Sequence, residues 1–157
     1  MPLEIERKFL CTPAVLPLCQ SGTLLVQGYL YTDANNTLRV RRAGDRAFLT
    51  WKGPKSGASR EEIETEVPLS MGEALLADVP MHARIQKTRY RIEHAGAVWD
   101  LDVFGGAHDG LILAEIEMEH EDQFVVLPPW VGCEVTADQR YRNSRLAAWA
   151  RPDRLAA

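Results

Sequence analysis

Acidic and basic side chains recur at every second position along much of this sequence, and each run keeps one sign of charge. Glu4 and Glu6 form the first acidic pair, and Arg39 and Arg41 form the first pair of arginines. Successive residues of a strand point to opposite faces, so each pair lies on one face of an extended strand. The basic residues of this pattern are Lys8, Arg39, Arg41, Lys52, Lys87, Arg89 and Arg91. The acidic residues are Glu4, Glu6, Glu62, Glu64, Asp100, Asp102, Glu115, Glu117 and Glu119.

This separation of signs favours a binding site over a solvated surface. A sheet face that only keeps a protein in solution intersperses positive and negative residues, and its exposed ion pairs stabilise little. Clustered carboxylates bind hard divalent cations such as Mg²⁺ or Mn²⁺ through their oxygens. Clustered lysines and arginines bind phosphate oxygens. The two clusters together predict a site for a metal-bound polyphosphate.

Strands dominate the predicted secondary structure. Alternation and turn residues predict strands over residues 3–10, 24–32, 38–42, 46–52, 60–67, 84–94, 98–104, 111–119 and 132–136. Helices are predicted over 70–77 and 138–150, with Ser70 as an N-cap and Glu73 as its capping-box partner. Residues 53–59, which contain Gly, Pro and Ser, predict a loop.

These strands could place all the charges on one surface. If they form one antiparallel sheet that curls closed, as about eight strands can, the charges line a tunnel. The apolar faces then point outward and need cover from the two helices or from a partner chain, which leaves a homodimer open.

Length and composition limit the class of protein. The chain has 157 residues with 25% charged residues and 46% hydrophobic residues, which predicts one globular domain over residues 1–157. A net charge of −4 disfavours a general nucleic-acid binder, and no apolar run is long enough to span a membrane. Three cysteines without CxxC spacing, and a charged N-terminus unlike a signal peptide, predict a reduced, cytoplasmic protein.

The order of the charged motifs along the chain resembles that of a known family. The segments that carry the resemblance are Glu4-Ile5-Glu6-Arg7-Lys8, Arg39-Val40-Arg41, Thr50-Trp51-Lys52-Gly53, Ser59–Glu64, Lys87–Tyr90, Trp99–Phe104, Ala114–Glu117 and Glu134–Leu146. They are similar to the ExExK signature and the later strands of the CYTH superfamily, the triphosphate tunnel metalloenzymes. The similarity spans nearly the whole chain and is greatest to the short bacterial members, which are inorganic triphosphatases.

The resemblance implies an α+β fold dominated by strands, a closed eight-stranded antiparallel tunnel with a few covering helices. It also implies divalent-metal-dependent chemistry on triphosphates, with Mg²⁺ or Mn²⁺ as the cofactor. The implied metal ligands are Glu4, Glu6 and Glu117. The implied accessory carboxylates, for a second metal or for positioning water, are Glu62, Glu64, Asp102 and Glu115. The implied triphosphate-binding residues are Lys8, Arg39, Arg41, Lys52, Lys87 and Arg89. Asp100 departs from the family, in which a longer Glu is more usual, and receives no role.

Hydrolysis of inorganic tripolyphosphate to pyrophosphate and phosphate is the favoured function. We expect in-line attack by a metal-positioned water, which Glu64 or another accessory carboxylate orients. Adenylyl cyclase activity on ATP, or hydrolysis of thiamine triphosphate or a nucleoside triphosphate, is the alternative, although no sequence mark of an adenine or thiamine pocket is found. A non-catalytic polyphosphate-binding module is disfavoured, because Glu4, Glu6 and Glu117 would repel its ligand in the absence of a metal.

Two smaller features of the sequence each allow two interpretations. Gln27 and Tyr29 share a face and either reach the substrate or pack in the wall. The terminal helix either covers the outer apolar face, which is the favoured reading, or closes one tunnel mouth with Arg140 or Arg145 facing inward.

Overall fold

The computed structural model describes residues 2–149, which form nine strands and two helices. The strands are β1 Leu3–Cys11, β2 Thr23–Thr32, β3 Thr37–Ala43, β4 Arg46–Ser56, β5 Ser59–Val67, β6 Ile85–His94, β7 Ala97–Phe104, β8 Ile112–Glu117 and β9 Val131–Glu134. The helices are α1 Leu69–Ala77 and α2 Asn143–Trp149. Short 3₁₀ turns lie at Pro13–Leu18, Met81–Ala83, Gly106–His108 and Gln139–Tyr141. Within the described residues, no helix is long and apolar enough to cross a lipid bilayer.

Eight of the nine strands close into an antiparallel barrel, in the order β1-β5-β4-β3-β2-β6-β7-β8 and back to β1. Strand β1 closes the barrel because it pairs with β8 along one edge and, through Leu3–Ile5, with β5 along the other. The extra strand β9 continues that second edge opposite Phe9 and Cys11. The predicted fold class is confirmed.

The outer face of the barrel is apolar and covered. Trp99 of β7 and Phe9 of β1 point outward, and Trp130 packs edge-on against Trp99, with their ring centroids 5.8 Å apart. Helix α1 lies over β3 and β4. Its Gly72 packs against Ala47, and a Cβ at Gly72 would overlap the Ala47 side chain, so a close approach of α1 requires glycine there.

The interior changes from charged to apolar toward one end of the barrel. On β1, Lys8 is followed two residues later by Leu10, and on β8, Glu115 is preceded by Leu113. The inward apolar residues meet the C-terminal segment in one cluster of Leu10, Ile85, Phe104, Leu113, Val135, Leu146 and Ala147. Helix α2 therefore packs on inward-pointing residues and closes this end of the barrel. The favoured reading, in which the terminal helix covers the outer face, is wrong.

Three local expectations also need correction. Helix α1 begins at Leu69 after Pro68, and Ser70 makes no capping bond because it already lies inside the first turn. The terminal helix does not start at 138, because Asp138 accepts a hydrogen bond from the Arg140 backbone and caps a separate 3₁₀ turn, after which Arg142 is extended. Its predicted end, Ala150, lies outside the described residues.

The predicted loop at 53–59 is mostly strand. Strand β4 continues to Ser56 and pairs with β5 down to Ser59, with a break in register between Lys52 and Lys55. Only Gly57 and Ala58 form the turn, where Gly57 has φ +60.

Candidate active site

A cavity of about 360 Å³ occupies the charged part of the barrel interior. Of the residues predicted for the site, those that line it are Glu4, Glu6, Lys8, Arg39, Arg41, Lys52, Glu62, Glu64, Arg89, Glu115 and Glu117. Lys87 and Asp102 do not line it; both are buried behind its wall. Eleven of the thirteen residues implied by the resemblance are thus brought to one cavity.

One side of the cavity, the acidic wall, is built by the adjacent strands β8, β1 and β5. It consists of Glu4, Glu6, Glu62, Glu64, Glu115 and Glu117. Glu6 lies opposite Glu117 in the β1–β8 register, and Lys8 lies opposite Glu115. These carboxylates come together because β8, β1 and β5 are neighbours in the barrel. The alternation of charge in the sequence does not reveal this strand order.

Two lysines neutralise part of the acidic wall from within the cavity. Lys52 Nζ donates to Glu4 Oε2 at 2.7 Å and lies 3.3 Å from Glu62 Oε2. Lys8 Nζ lies 3.5 Å from Glu115 Oε1 and also donates to the Tyr141 carbonyl at 3.2 Å. Lys52 is therefore shared between two carboxylates, and Lys8 is shared between a carboxylate and a backbone carbonyl.

The carboxylates of this wall have divergent proton affinities. Burial raises the pKa of Glu4, but the charge of Lys52 and hydrogen bonds with Glu62, Lys52 and Glu6 together lower that pKa to about 2. Burial and then the charges of Glu115 and Glu4 raise the pKa of Glu6 well above its usual value. Burial and a hydrogen bond with Glu4 raise the pKa of Glu62 to about 7. Too few cations are present for this group of carboxylates to ionise without cost.

This surplus of negative charge fits a divalent cation. The donors are carboxylate oxygens, which Mg²⁺ and Mn²⁺ prefer. Among residues 2–149, however, no three acidic, histidine or cysteine side chains converge into a ready coordination shell. Lys52 donates to Glu4 in the ligand-free protein, so Glu4 would have to give up this contact to hold a metal.

The opposite side of the cavity, the basic wall, is built by β3 and β6 on either side of β2. Its arginines are Arg39, Arg41 and Arg89. Strand β2 is the fourth strand from β1 in either direction around the barrel, so this wall lies across the cavity from the acidic one. A triphosphate between the walls would meet arginine forks on one side and carboxylates on the other.

Sequence and structure comparisons agree on the relatives of this chain. The CYTH domain family model matches residues 2–148. An inorganic triphosphatase from Acetivibrio thermocellus is 38% identical over 146 residues, which cover 93% of this chain and 94% of that protein. An inorganic triphosphatase from Nitrosomonas europaea is 40% identical over 149 residues, 92% of this chain and 96% of that protein.

A solved structure agrees with these relatives. The crystal structure of an inorganic triphosphatase matches with a TM-score of 0.66 and 39% identity, and the match covers 91% of this chain and 96% of that one. The chain belongs to the CYTH domain family.

In this CYTH domain, Arg39, Arg41 and Arg89 of the basic wall are each held by a buried polar residue. Arg41 Nε donates to Gln27 Oε1 at 2.8 Å. Arg89 Nε donates to Asp102 Oδ1 at 2.7 Å. Gln27 is 0% and Asp102 1% exposed, so these partners fix the arginines without facing the cavity.

Arg39 is also held by a buried polar residue, but this residue, Thr50, belongs to the cavity lining. Its guanidinium donates to Thr50 Oγ1 at 3.1 Å, and the Thr50 hydroxyl donates to Glu64 Oε2 at 2.8 Å. One hydroxyl therefore orients an arginine and a carboxylate of the cavity at once. Thr50 is fully buried and was missed by sequence reasoning, because a threonine in a strand carries no charge signal.

Lys87 and Asp102 belong to this supporting layer. Lys87 Nζ donates to Asp102 Oδ2 at 2.7 Å and to Asn143 Oδ1 at 3.2 Å. Burial lowers the pKa of Lys87 to about 7, whereas Asp102, between Lys87 and Arg89, has its pKa held at about 2 against the effect of burial. Lys87 is predicted to bind the substrate and Asp102 to serve as an accessory carboxylate. Both side chains are buried and neither lines the cavity, so neither has a surface that a substrate could contact in this structure.

Several other residues of the cavity lie outside the predicted set. Lining residues that received no role from the sequence are Thr37, Thr50, Lys55, Arg60, Arg91, Val98, Asp100, Arg142, Asn143 and Ser144. Tyr29 lines the cavity and also packs against the apolar cluster at the closed end of the barrel. Gln27 does not line the cavity. Arg140 pairs with Asp138 at 2.7 Å and Arg145 is exposed, so Arg142 is the arginine of the terminal segment that faces inward.

Proposed function

We propose that this protein hydrolyses inorganic tripolyphosphate to pyrophosphate and orthophosphate with the help of a divalent cation. The observation that carries this proposal is the pair of facing walls, carboxylates on β8, β1 and β5 and arginines on β3 and β6, across one cavity of about 360 Å³. The relatives named as inorganic triphosphatases support the same substrate.

The carboxylates nearest the centre of the acidic wall would hold the cation. Glu4, Glu6 and Glu117 are the proposed ligands, and Glu62, Glu64 and Glu115 the accessory carboxylates. When bound, the cation neutralises part of the triphosphate charge and assists the attacking water. The choice between Mg²⁺ and Mn²⁺ is tested by the turnover of metal-stripped protein with each ion in turn.

The basic residues would bind the substrate and stabilise the charge that develops during transfer. Arg39, Arg41 and Arg89 present guanidinium forks, which suit phosphate oxygens. Lys8 and Lys52 would contribute point charges, and Lys52 would be free to meet phosphate if Glu4 held the cation instead. Lys87 acts from behind through Asp102 and Arg89.

The reaction breaks one P–O–P anhydride bond and forms one P–O bond to the oxygen of water. Ionised tripolyphosphate and water yield pyrophosphate, hydrogen phosphate and one proton. Glu64 lies in the cavity wall, and its Oε2 accepts a hydrogen bond from the Thr50 hydroxyl. This bond fixes the carboxylate and leaves Oε1 available to accept a hydrogen bond from the attacking water. The closed end built by α2 limits the entry of bulk water.

Product analysis of the purified protein tests this function. Tripolyphosphate and ATP are offered separately with Mg²⁺ or Mn²⁺, and the products are separated by anion-exchange chromatography. Pyrophosphate and orthophosphate from tripolyphosphate, with ATP nearly inert, is the expected result. Cyclic AMP or ADP from ATP, with tripolyphosphate intact, would contradict it and favour a cyclase or nucleotidase.

The expectations of a cytoplasmic location, of a homodimer, and of a single domain over residues 1–157 stay predictions. Light scattering of the purified protein tests the homodimer.

A further inference from the structure

Four basic residues of the cavity, Arg41, Lys55, Arg60 and Arg142, have no carboxylate partner among the described residues, and the last three lie close together. Lys55 of β4, Arg60 of β5 and Arg142 next to α2 all line the cavity. Among the described residues, no carboxylate oxygen lies within 4 Å of a nitrogen of any of the three, whereas Lys8, Lys52, Arg39 and Arg89 each have one. We call Lys55, Arg60 and Arg142 the cationic cluster.

The local backbone brings like charges together in this cluster. Lys55 lies directly opposite Arg60 in the β4–β5 register. Like charges at directly opposed positions of a sheet destabilise it. The break in register between Lys52 and Lys55 turns Lys55 to the inner face, and Arg60 fixes that break by donating to the Gly53 carbonyl through Nε at 3.1 Å and Nη2 at 2.7 Å.

Glu4 lies opposite Arg60 in the β1–β5 register and, with Glu6, offsets part of the repulsion within the cluster, but neither carboxylate pairs with a member of it within 4 Å. Lys55 Nζ donates to the Thr136 carbonyl at 2.7 Å, which supplies an acceptor without a full charge. Burial and the charges of Lys8 and Arg142 lower the pKa of Lys55 to about 8. Burial and the charge of Arg142 also lower the pKa of Arg60. Half-buried cations that repel one another raise the free energy of the ligand-free protein, and an anion would relieve that cost.

We infer that the cationic cluster is a phosphate subsite, which binds a terminal phosphate group and needs no metal for it. The subsite lies beside the segment that closes the barrel, so it suits the end of a phosphate chain or a released orthophosphate. This inference rests on the proposed function for its substrate, but the anion binding itself is measured without turnover. It differs from the rest of the cavity, where each cation but Arg41 already holds a carboxylate.

Calorimetry with orthophosphate, on protein stripped of metal with EDTA, tests the subsite. Arg142→Gln removes a charge without removing any side-chain hydrogen bond within the described residues, and Arg145→Gln, at an exposed position of the adjoining helix α2, is the matched control. We expect the wild type and Arg145→Gln to bind orthophosphate alike, and Arg142→Gln to bind it about 10- to 100-fold more weakly. Equal binding by all three proteins would overturn the subsite.

Thermal unfolding separates this role from a structural one. Loss of a charge from a repelling cluster leaves the metal-free protein as stable as the wild type or stabilises it, whereas loss of a structural residue destabilises it. Unchanged or raised Tm in Arg142→Gln supports the subsite, and a fall in Tm without loss of orthophosphate binding contradicts it. Lys55→Gln, which keeps a donor for the Thr136 carbonyl, should behave in the same way.

Kinetics with tripolyphosphate distinguish the two sources of phosphate. A raised KM in Arg142→Gln assigns the subsite to the end of the substrate. An unchanged KM with weaker inhibition by orthophosphate assigns it to the released product. If the wild type binds orthophosphate through Arg142 but does not hydrolyse tripolyphosphate, the proposed function is wrong and the subsite stands.

Discussion

The acidic wall and the basic wall of the cavity differ in how their charges are held. Glu4, Glu62 and Glu115 of the acidic wall are held from the front, by Lys8 and Lys52, which line the cavity themselves. Arg41 and Arg89 of the basic wall are held from behind, by Gln27 and Asp102, which are buried outside the cavity lining, and Arg39 is held by Thr50, a buried residue of the lining. The partners of the acidic wall must therefore move when a cation arrives, whereas the partners of the basic wall stay.

This difference indicates a division of labour. A preorganised array of arginines costs little reorganisation when a charged substrate binds or when its charge shifts during reaction. The acidic wall holds more carboxylates than nearby cations, so its negative charges repel one another. A bound divalent ion would relieve this repulsion. The ligand-free cavity is thus ready for phosphate on one side and awaits metal on the other.

Removal of charge from the acidic wall should have the largest effect. The double substitution Glu4→Gln with Glu6→Gln keeps the shape but removes two anionic oxygen ligands. We expect tripolyphosphate turnover at saturating Mg²⁺ to fall by at least about 10³-fold, because metal catalysis contributes several kcal/mol. Orthophosphate release measures it.

Glu61→Gln is the matched control for that variant. Glu61 neighbours Glu62 on β5 but does not line the cavity. Its turnover should equal that of the wild type. Wild-type turnover by the double variant would remove the acidic wall from the mechanism.

Loss of one arginine from the basic wall should cost less, because the others remain. Arg41→Gln should lower kcat/KM for tripolyphosphate about 10- to 100-fold, the value of one or two charge-assisted hydrogen bonds. Arg42→Gln is the matched control, since Arg42 is exposed and pairs with Glu73 of α1 at 3.0 Å. An equal fall in kcat/KM in the two variants would contradict the assignment of Arg41 to the cavity and Arg42 to the outer surface.

Loss of support behind the basic wall should have a smaller effect again. Gln27→Leu keeps the volume near that of glutamine but removes the acceptor for Arg41 Nε. We expect a rise in KM of about 10-fold with the metal dependence unchanged, since Arg41 keeps its charge but loses its orientation. Gln27→Glu, which restores an acceptor, should recover most of the affinity, and failure of that rescue would count against positioning.

The smallest effect should appear in the pH dependence of stability without metal. Glu62 has an ordinary pKa of 4.5 when unfolded and a pKa of about 7 in the fold, owing to burial and Glu4. The folded state therefore holds the proton more tightly, and Glu62 contributes stability below about pH 4.5 that is lost as pH rises through about 7. We expect a loss of about 1 kcal/mol, reduced by solvent screening at this half-exposed group.

Denaturant unfolding in EDTA measures this loss. Glu62→Gln should flatten the decline in the free energy of unfolding, whereas Glu61→Gln should follow the wild type. Saturating Mg²⁺ should also restore stability at the upper end of the pH range. An identical decline in the wild type and in Glu62→Gln would show that the acidic wall is not strained in this way.

Much of this arrangement could be predicted from the sequence, because the alternation of charge assigns each residue to a face. Lys55 was missed because the break in register after Lys52 shifts the alternation by one residue. The depth of Lys87 and Asp102 could not be predicted, because alternation gives the face of a strand but not the level along a barrel. The inward placement of α2 depends on Leu10, Ile85 and Leu113, which read as ordinary apolar residues until the closed barrel places them together.

The most direct test of the proposed function follows the phosphorus atoms themselves. A ³¹P NMR time course of tripolyphosphate with the wild-type protein and Mg²⁺ resolves substrate, pyrophosphate and orthophosphate in one sample. The facing walls predict one pyrophosphate and one orthophosphate for each tripolyphosphate consumed, and no reaction after EDTA. An unchanged tripolyphosphate spectrum with Mg²⁺ or Mn²⁺, or equal turnover in EDTA, would contradict a metal-dependent triphosphatase.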